Sequence, residues 1–312
     1  MPLIYLLFII ACALYSPSIT ACDVCGCGVG NYYWGIMPQF HKNFAGIRYR
    51  QSSFQSHFNA TTEKFDNTEQ FYTLELWSRY YILPKLQLLT FLPYNLNTQT
   101  EQNNTHQPLQ LQGISDIAIL TNYMLINTAT MCGGDKKSNN PLLHNWLVGA
   151  GLKLPTGQWK NVANNATQNV HANMRLGSGS IDFLFYTAYT MRYKQWGINT
   201  DINYKLNTAN QQNYAFGNKI SSNLSLFYIQ NIKAIALMPY TGLYAEHAQA
   251  NREYGIEIPQ TGGHLIAHTL GLETYYKRLS IGASYQIPIA QLLNANESKA
   301  RPRLNIQMSL AF

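Results

Sequence analysis

A two-residue hydrophobic period, held over stretches too long for ordinary strands, limits what this chain can become more than any other feature. In IDFLFYTAYTMRY, which begins at Ile181, Phe183, Phe185, Tyr189 and Met191 share one face, while Asp182, Leu184, Tyr186 and Arg192 share the other. The same alternation returns from Leu279 to Ile289 and again from Leu304 to Phe312. Roughly twelve such segments can be marked: residues 43–55, 70–83, 85–95, 113–127, 143–155, 180–193, 196–207, 218–230, 233–247, 264–276, 278–290 and 302–312. Several exceed the ~5–6 residues of a typical soluble strand and match the ~9–11 that a tilted strand needs to cross a bilayer.

The connectors alternate as well. Those at 83–85, 194–196, 231–233 and 276–278 are tight, whereas 56–69, 96–112, 156–179, 208–217 and 248–263 are long and polar. A soluble sandwich can show the same two-residue period, but short turns at one end and long loops at the other are the mark of a membrane barrel. Hydrocarbon offers no water to an open sheet edge, so membrane strands must close on themselves. The predicted fold class is all-β, a transmembrane antiparallel up-and-down barrel of about 12 strands (10 to 14). An even strand count puts both chain ends beside the tight turns. Only 12% of residues are charged and 13% are aromatic, 22 of them Tyr. A mean hydropathy of -0.19 does not argue against membrane strands, because alternation hides them from averages. The net charge of +7 is scattered rather than clustered, which speaks against nucleic acid as a partner.

At the N-terminus an uncharged stretch with an apolar run from Leu3 to Tyr15 reaches small residues before Cys22, as an export signal does. The run is shorter than the ~20 residues of a membrane helix. The expected organisation is a signal peptide over 1–21, a cysteine-bearing periplasmic segment over 22–42, and the barrel over 43–312. Ile19, Thr20, Ala21 and Cys22 resemble a lipobox, which makes Cys22 a candidate for acylation. In ACDVCGCGVG, Cys25 and Cys27 follow closely, and strand parity places Cys132 at the same end. Close thiolates suit Cu or Zn, while an oxidising compartment favours a disulfide. Both roles stay open for Cys25, Cys27 and Cys132, and no other cofactor is implied.

Strand phase also identifies the lumen. Arg48, Arg50, Glu75, Arg79, Asp116, Asp182, Arg192, Asp201, Lys205 and Glu273 all fall opposite the large apolar residues. A Lys or Arg on the lipid face is destabilising by roughly 2–4 kcal/mol at the midplane, so these charges are expected to point inward. They can form a structural ion network or line a solute path. Pro93 and Pro239 lie inside strands, where the missing N–H favours a bulge or a break in the wall. An enzyme is not expected. His268 and Ser222 share faces with leucines but have no acidic orienting partner in register, and GSGS at 177–180 lacks the lysine and helix of a phosphate loop.

Four blocks, LPKLQLLTFLPYN, GISDIAILTNYML, GLKLPTG and LGSGSIDFLF, resemble the outer-membrane barrel family named for the MetA pathway of phenol degradation, akin to the fatty-acid channels. The likeness covers mainly residues 72–193 and rests on Leu154, Pro155, Thr156 and Gly157, then Gly177, Gly179 and Asp182. Gly113, Ile114, Ser115 and Asp116 stand where a GxGD is usual, and Leu176 where a proline often stands. The terminal Phe312 resembles the aromatic read by the barrel-insertion machinery. The resemblance implies a bacterial outer-membrane channel or transporter with both termini periplasmic, passing small solutes, apolar ones included, through a narrow charged lumen. Its implied partners are outer-membrane lipids, the insertion machinery and the solute. The competing expectation is an accessory or metal-sensing barrel whose CxxCxC segment binds metal or a partner.

Overall fold

The computed structural model describes residues 42–59, 64–101, 108–128, 142–159 and 172–312. Cys22, Cys25, Cys27 and Cys132, with the signal, acylation, disulfide and metal roles assigned to that region, lie outside the described residues. The first six staves of the barrel are β1 (Phe44–Asn59), β2 (Lys64–Leu83), β3 (Leu86–Glu101), β4 (Leu109–Ile114 and Ile117–Asn127), β5 (Leu142–Leu154) and β6 (Asp182–Tyr193). The other six are β7 (Trp196–Leu206), β8 (Lys219–Tyr228 and Gln230–Ile232), β9 (Ile235–Ala248), β10 (Gly263–Tyr276), β11 (Leu279–Leu293) and β12 (Ser298–Ala300 and Arg303–Ala311). Each stave pairs antiparallel with its sequence neighbours, and β12 returns to β1 with Phe44 opposite Ala311 and Arg48 opposite Gln307. The sheet therefore closes as a twelve-stranded barrel.

The two faces of the wall differ as the alternation requires. On β2, Glu75 is 0% exposed and its neighbour Leu76 is 52% exposed; on β6, Asp182 is 0% and Phe183 43%. Apolar residues thus cover the outside, where only lipid makes their exposure favourable, and polar ones face inward. The membrane strands were legible to within a few residues, but the first four run further than expected, β4 starting at Leu109. β1 continues to Asn59, β2 starts at Lys64 and β3 ends at Glu101, so much of 56–69 and 96–112 is paired sheet rather than loop. Beyond the membrane the outer face has no need of apolar residues, so alternation fades there while backbone pairing continues.

At one end four two-residue turns join the staves, flanked by the pairs Leu83–Leu86, Tyr193–Trp196, Ile232–Ile235 and Tyr276–Leu279. Three of them begin with lysine in the left-handed region: Lys194 at φ 54°, Lys233 at φ 54° and Lys277 at φ 53°. That conformation costs an L-residue roughly 1–2 kcal/mol and is normally given to Gly or Asn. Both prolines sit at breaks in a ladder. Pro93 accepts a bond from the Ser115 amide at the interruption of β4, and Pro239 lies beside the break of β8 at Ile229. Pairing resumes on either side of each break, so the wall bulges and stays closed.

Candidate functional site

The interruption in β4 creates a densely bonded point of the lumen. Tyr94 pairs with Ile114 before it and Phe91 with Ala118 after it, so one extra residue enters β4. The phase of the strand shifts, and two consecutive side chains, Ser115 and Asp116, both point inward. Strict alternation would have sent one of these two, Asp116 or Ser115, to the lipid. The Ser115 hydroxyl donates to the Leu176 carbonyl, and Thr156 Oγ1 donates to the Ser115 carbonyl at 3.0 Å while accepting from the Ile117 amide at 2.9 Å.

Asp116 ties these segments together. Its Oδ1 accepts from the Gly157 amide at 3.0 Å, and its Oδ2 accepts from the Ser178 amide at 2.8 Å, the Ser178 hydroxyl at 2.9 Å and Lys153 Nζ at 2.6 Å. Lys153 also reaches Asp182 at 2.8 Å, and Lys205 reaches Asp182 at 3.4 Å. Ser180 donates to Asp182 Oδ1 at 2.8 Å. Two cations and two carboxylates balance, as buried charges must. Gly157 and Gly177 make the approach possible, since a Cβ on Gly157 would sit 2.7 Å from the Leu176 carbonyl oxygen and 2.8 Å from Gly177 Cα. The blocks that carried the family resemblance thus converge on a single node, which latches residues 172–180 inside the barrel.

What the latch holds is apolar. Met174 and Leu176 pack with Phe54, Phe71, Leu111, Leu265, Leu293 and Ala300, all on the inner wall, and Asn97 donates to the Met174 carbonyl at 2.9 Å. Met174 is 0% exposed. Residues 172–180 therefore lie inside the barrel at the long-loop end, against the inner wall. Arg175 stacks on Trp159 at 4.2 Å, and Trp159 packs against Tyr214 at 5.3 Å, so the same segment is pinned to the neighbouring loops.

Eight of the ten charges expected in the lumen are buried, Arg50 and Arg192 are half-buried, and they belong to separate groups. Arg48 and Arg50 flank Glu75 at 3.2 and 3.1 Å. Glu273 accepts from Gln307 at 3.4 Å and from the Tyr275 hydroxyl. Asp201 accepts from Asn203 at 2.9 Å and Asn223 at 3.2 Å. Arg79 stacks on Phe44 at 4.6 Å and donates to the Lys42 carbonyl at 3.3 Å. Arg192 lies near the tight turns, half-buried, opposite Gly197. Asp116, Asp182 and Lys205 form the latch with Lys153, which sequence reading passed over although Leu152 and Leu154 on either side give its phase. A further cluster was also missed. Glu246 holds Lys219 at 3.0 Å and Arg303 at 3.3 Å. Lys219 and Arg303 each open a strand segment. His268, on the outer wall, meets Thr241 Oγ1 at 2.8 Å.

At the tight-turn end the lumen holds a cavity of about 310 Å³.

The fold is similar to that of a solved outer-membrane channel. That protein, from Pseudomonas putida F1, superposes with a TM-score of 0.60 at 14% identity, covering 87% of this chain and 96% of that chain. The β-domain of the Bordetella autotransporter BrkA matches with a TM-score of 0.48 at 9% identity over 87% of this chain and 100% of that one. A deletion mutant of the monoaromatic hydrocarbon channel TodX matches with a TM-score of 0.41 at 8% identity over 86% and 90%. No protein-family model matches the sequence, and no curated protein matches it. At these identities the likeness establishes architecture, and the chemistry must come from the lumen itself.

Proposed function

We propose that this protein is a bacterial outer-membrane channel for small solutes, of the kind implied by the resemblance to the MetA-pathway family, and that residues 172–180 are its gate. One observation carries the reading. Residues 172–180 sit inside the barrel without pairing as a strand, held by polar contacts at Asp116 and by packing of Met174 and Leu176 on the inner wall. A barrel needed only for anchoring would gain nothing from a latch that a shift of one loop can release. Beyond the gate, the inner wall mixes neutral amides such as Asn122 and Asn199 with aromatic side chains such as Phe91, Tyr186 and Phe227. Such a lining suits small solutes with an apolar body better than simple ions. In this reading the tight turns face the periplasm, the apolar band meets outer-membrane lipid, and Phe312 is the aromatic engaged by the insertion machinery.

The test is electrical. Purified protein reconstituted in planar bilayers is expected to show discrete, mostly closed channels, with openings that become frequent when residues 172–180 are replaced by a short Gly/Ser linker. A bilayer that stays silent for both proteins, when each shows the heat-modifiable migration of a folded barrel, refutes the channel.

A further inference from the structure

The cavity at the tight-turn mouth has a composition unlike the rest of the lumen. Its inner wall is apolar, formed by Phe44, Ala236, Tyr275 and Ala311. Its rim is cationic: Lys42, Lys233, Lys277 and Arg278 line it, all exposed, and no Asp or Glu is among its lining residues. Glu273, on the same strand as Tyr275, accepts a hydrogen bond from the Tyr275 hydroxyl. Asn231 and Ser280 add neutral hydrogen-bonding groups.

The lysines at the rim are not incidental to the turns. Lys233 and Lys277 occupy left-handed positions that Gly or Asn would fill without strain, and Lys194 does the same at the neighbouring turn. A backbone conformation that disfavours lysine is used for lysine three times at one end of the barrel. Lys194 and Lys277 each hold their ammonium over the ring of the preceding tyrosine, at 5.3 and 5.2 Å, no such ring contact accompanies Lys233 among the described residues, and together the three gather positive charge at this mouth. Concave apolar walls focus the field of such a rim into the opening. The volume, about 310 Å³, stands at the small end of the ~300–1,000 Å³ range of ligand pockets.

We infer that this cavity is a binding site for a small organic carboxylate with an apolar body, the carboxylate meeting Lys233, Lys277 and Arg278 and the body resting on Phe44 and Tyr275. The inference deepens the channel reading by naming a substrate class, and it places a second selective point at the opposite end of the lumen from the gate. The arginine is the residue suited to bidentate contact with a carboxylate, and the lysines add charge without fixed geometry.

The experiment titrates purified full-length protein, in nonionic detergent, with three probes followed by calorimetry. Benzoate carries charge and an apolar body, benzamide the body without the charge, and acetate the charge without the body. Saturable one-to-one binding of benzoate is expected, with benzamide and acetate each at least about tenfold weaker, since every ~1.4 kcal/mol of lost contact is tenfold. The double variant Lys277→Gln, Arg278→Gln, whose altered side chains are exposed on a turn, is expected to weaken benzoate about tenfold and leave benzamide unchanged. Equal binding of benzoate and benzamide, equal binding of benzoate and acetate, or an unaffected double variant would each overturn the site. Bilayer conductance separates the two claims. Conductance without benzoate binding removes the site and keeps the channel, and binding without conductance does the reverse.

Discussion

Replacing Asp116 by Asn tests the gate directly. The change preserves shape but leaves one acceptor oxygen where two are used. If the amide nitrogen takes the Oδ2 position, it faces Lys153, the Ser178 amide and the Ser178 hydroxyl; if it takes Oδ1, it faces the Gly157 amide. Either way a donor is set against donors. The charge is also lost, so Lys153 and Lys205 are left to share Asp182. Breaking a buried pair outright costs about 3–5 kcal/mol, and a charge-assisted bond contributes about 1.5–3 kcal/mol. Because Lys153 keeps one carboxylate, the low end applies, near ~3 kcal/mol. At ~1.4 kcal/mol per factor of ten, that shifts the balance between latched and released segment by roughly a hundredfold. In planar bilayers the open probability of Asp116→Asn is predicted to rise by that order, with heat-modifiable migration intact. The double variant Asp116→Asn, Lys153→Gln restores neutrality, leaving Lys205 with Asp182. It should recover part of the lost stability while the amides of Gly157 and Ser178 stay unlatched, so the channel should remain open. An open probability equal to wild type in folded Asp116→Asn would show that this node is not what keeps the lumen closed.

Two further outcomes follow from the lumen and the turns. Glu75→Gln leaves Arg48 and Arg50 without their carboxylate, so thermal stability should fall by about 3–5 kcal/mol and reversal potentials in a KCl gradient should move toward chloride. An unmoved reversal potential would take this level off the conducting path. Cysteine introduced at Glu253, on the exposed hairpin of the long-loop end, should label with an impermeant maleimide on intact cells, while cysteine at Lys233 should not. The opposite pattern would invert the barrel.

Much of this protein was decided by its sequence. A period of two held over a dozen segments admits one architecture in a membrane, because lipid rewards an apolar outer face and tolerates no open edge. The phase of each strand then placed Arg48, Glu75, Asp182 and Glu273 inside without any knowledge of tertiary contacts. Strand ends were less legible where β1, β2 and β3 continue past the membrane, since the outer face there is under no apolar constraint.

Tertiary structure alone decided which charges meet and what they hold. Asp116 and Lys153 are 37 residues apart, and nothing in their spacing announces a pair; barrel closure and register bring them together. The extra residue at Ser115 shows the limit most clearly. A phase argument assumes unbroken pairing, and a bulge opposite Pro93, where the ladder lacks one donor, shifts that phase by one and turns two adjacent side chains inward. The inserted segment at 172–180 was equally hidden. Its sequence sets Met174 and Leu176 among Ser and Gly, and it packs inside the barrel only because Gly157 and Gly177 can lie against each other beside a carboxylate supplied by another strand.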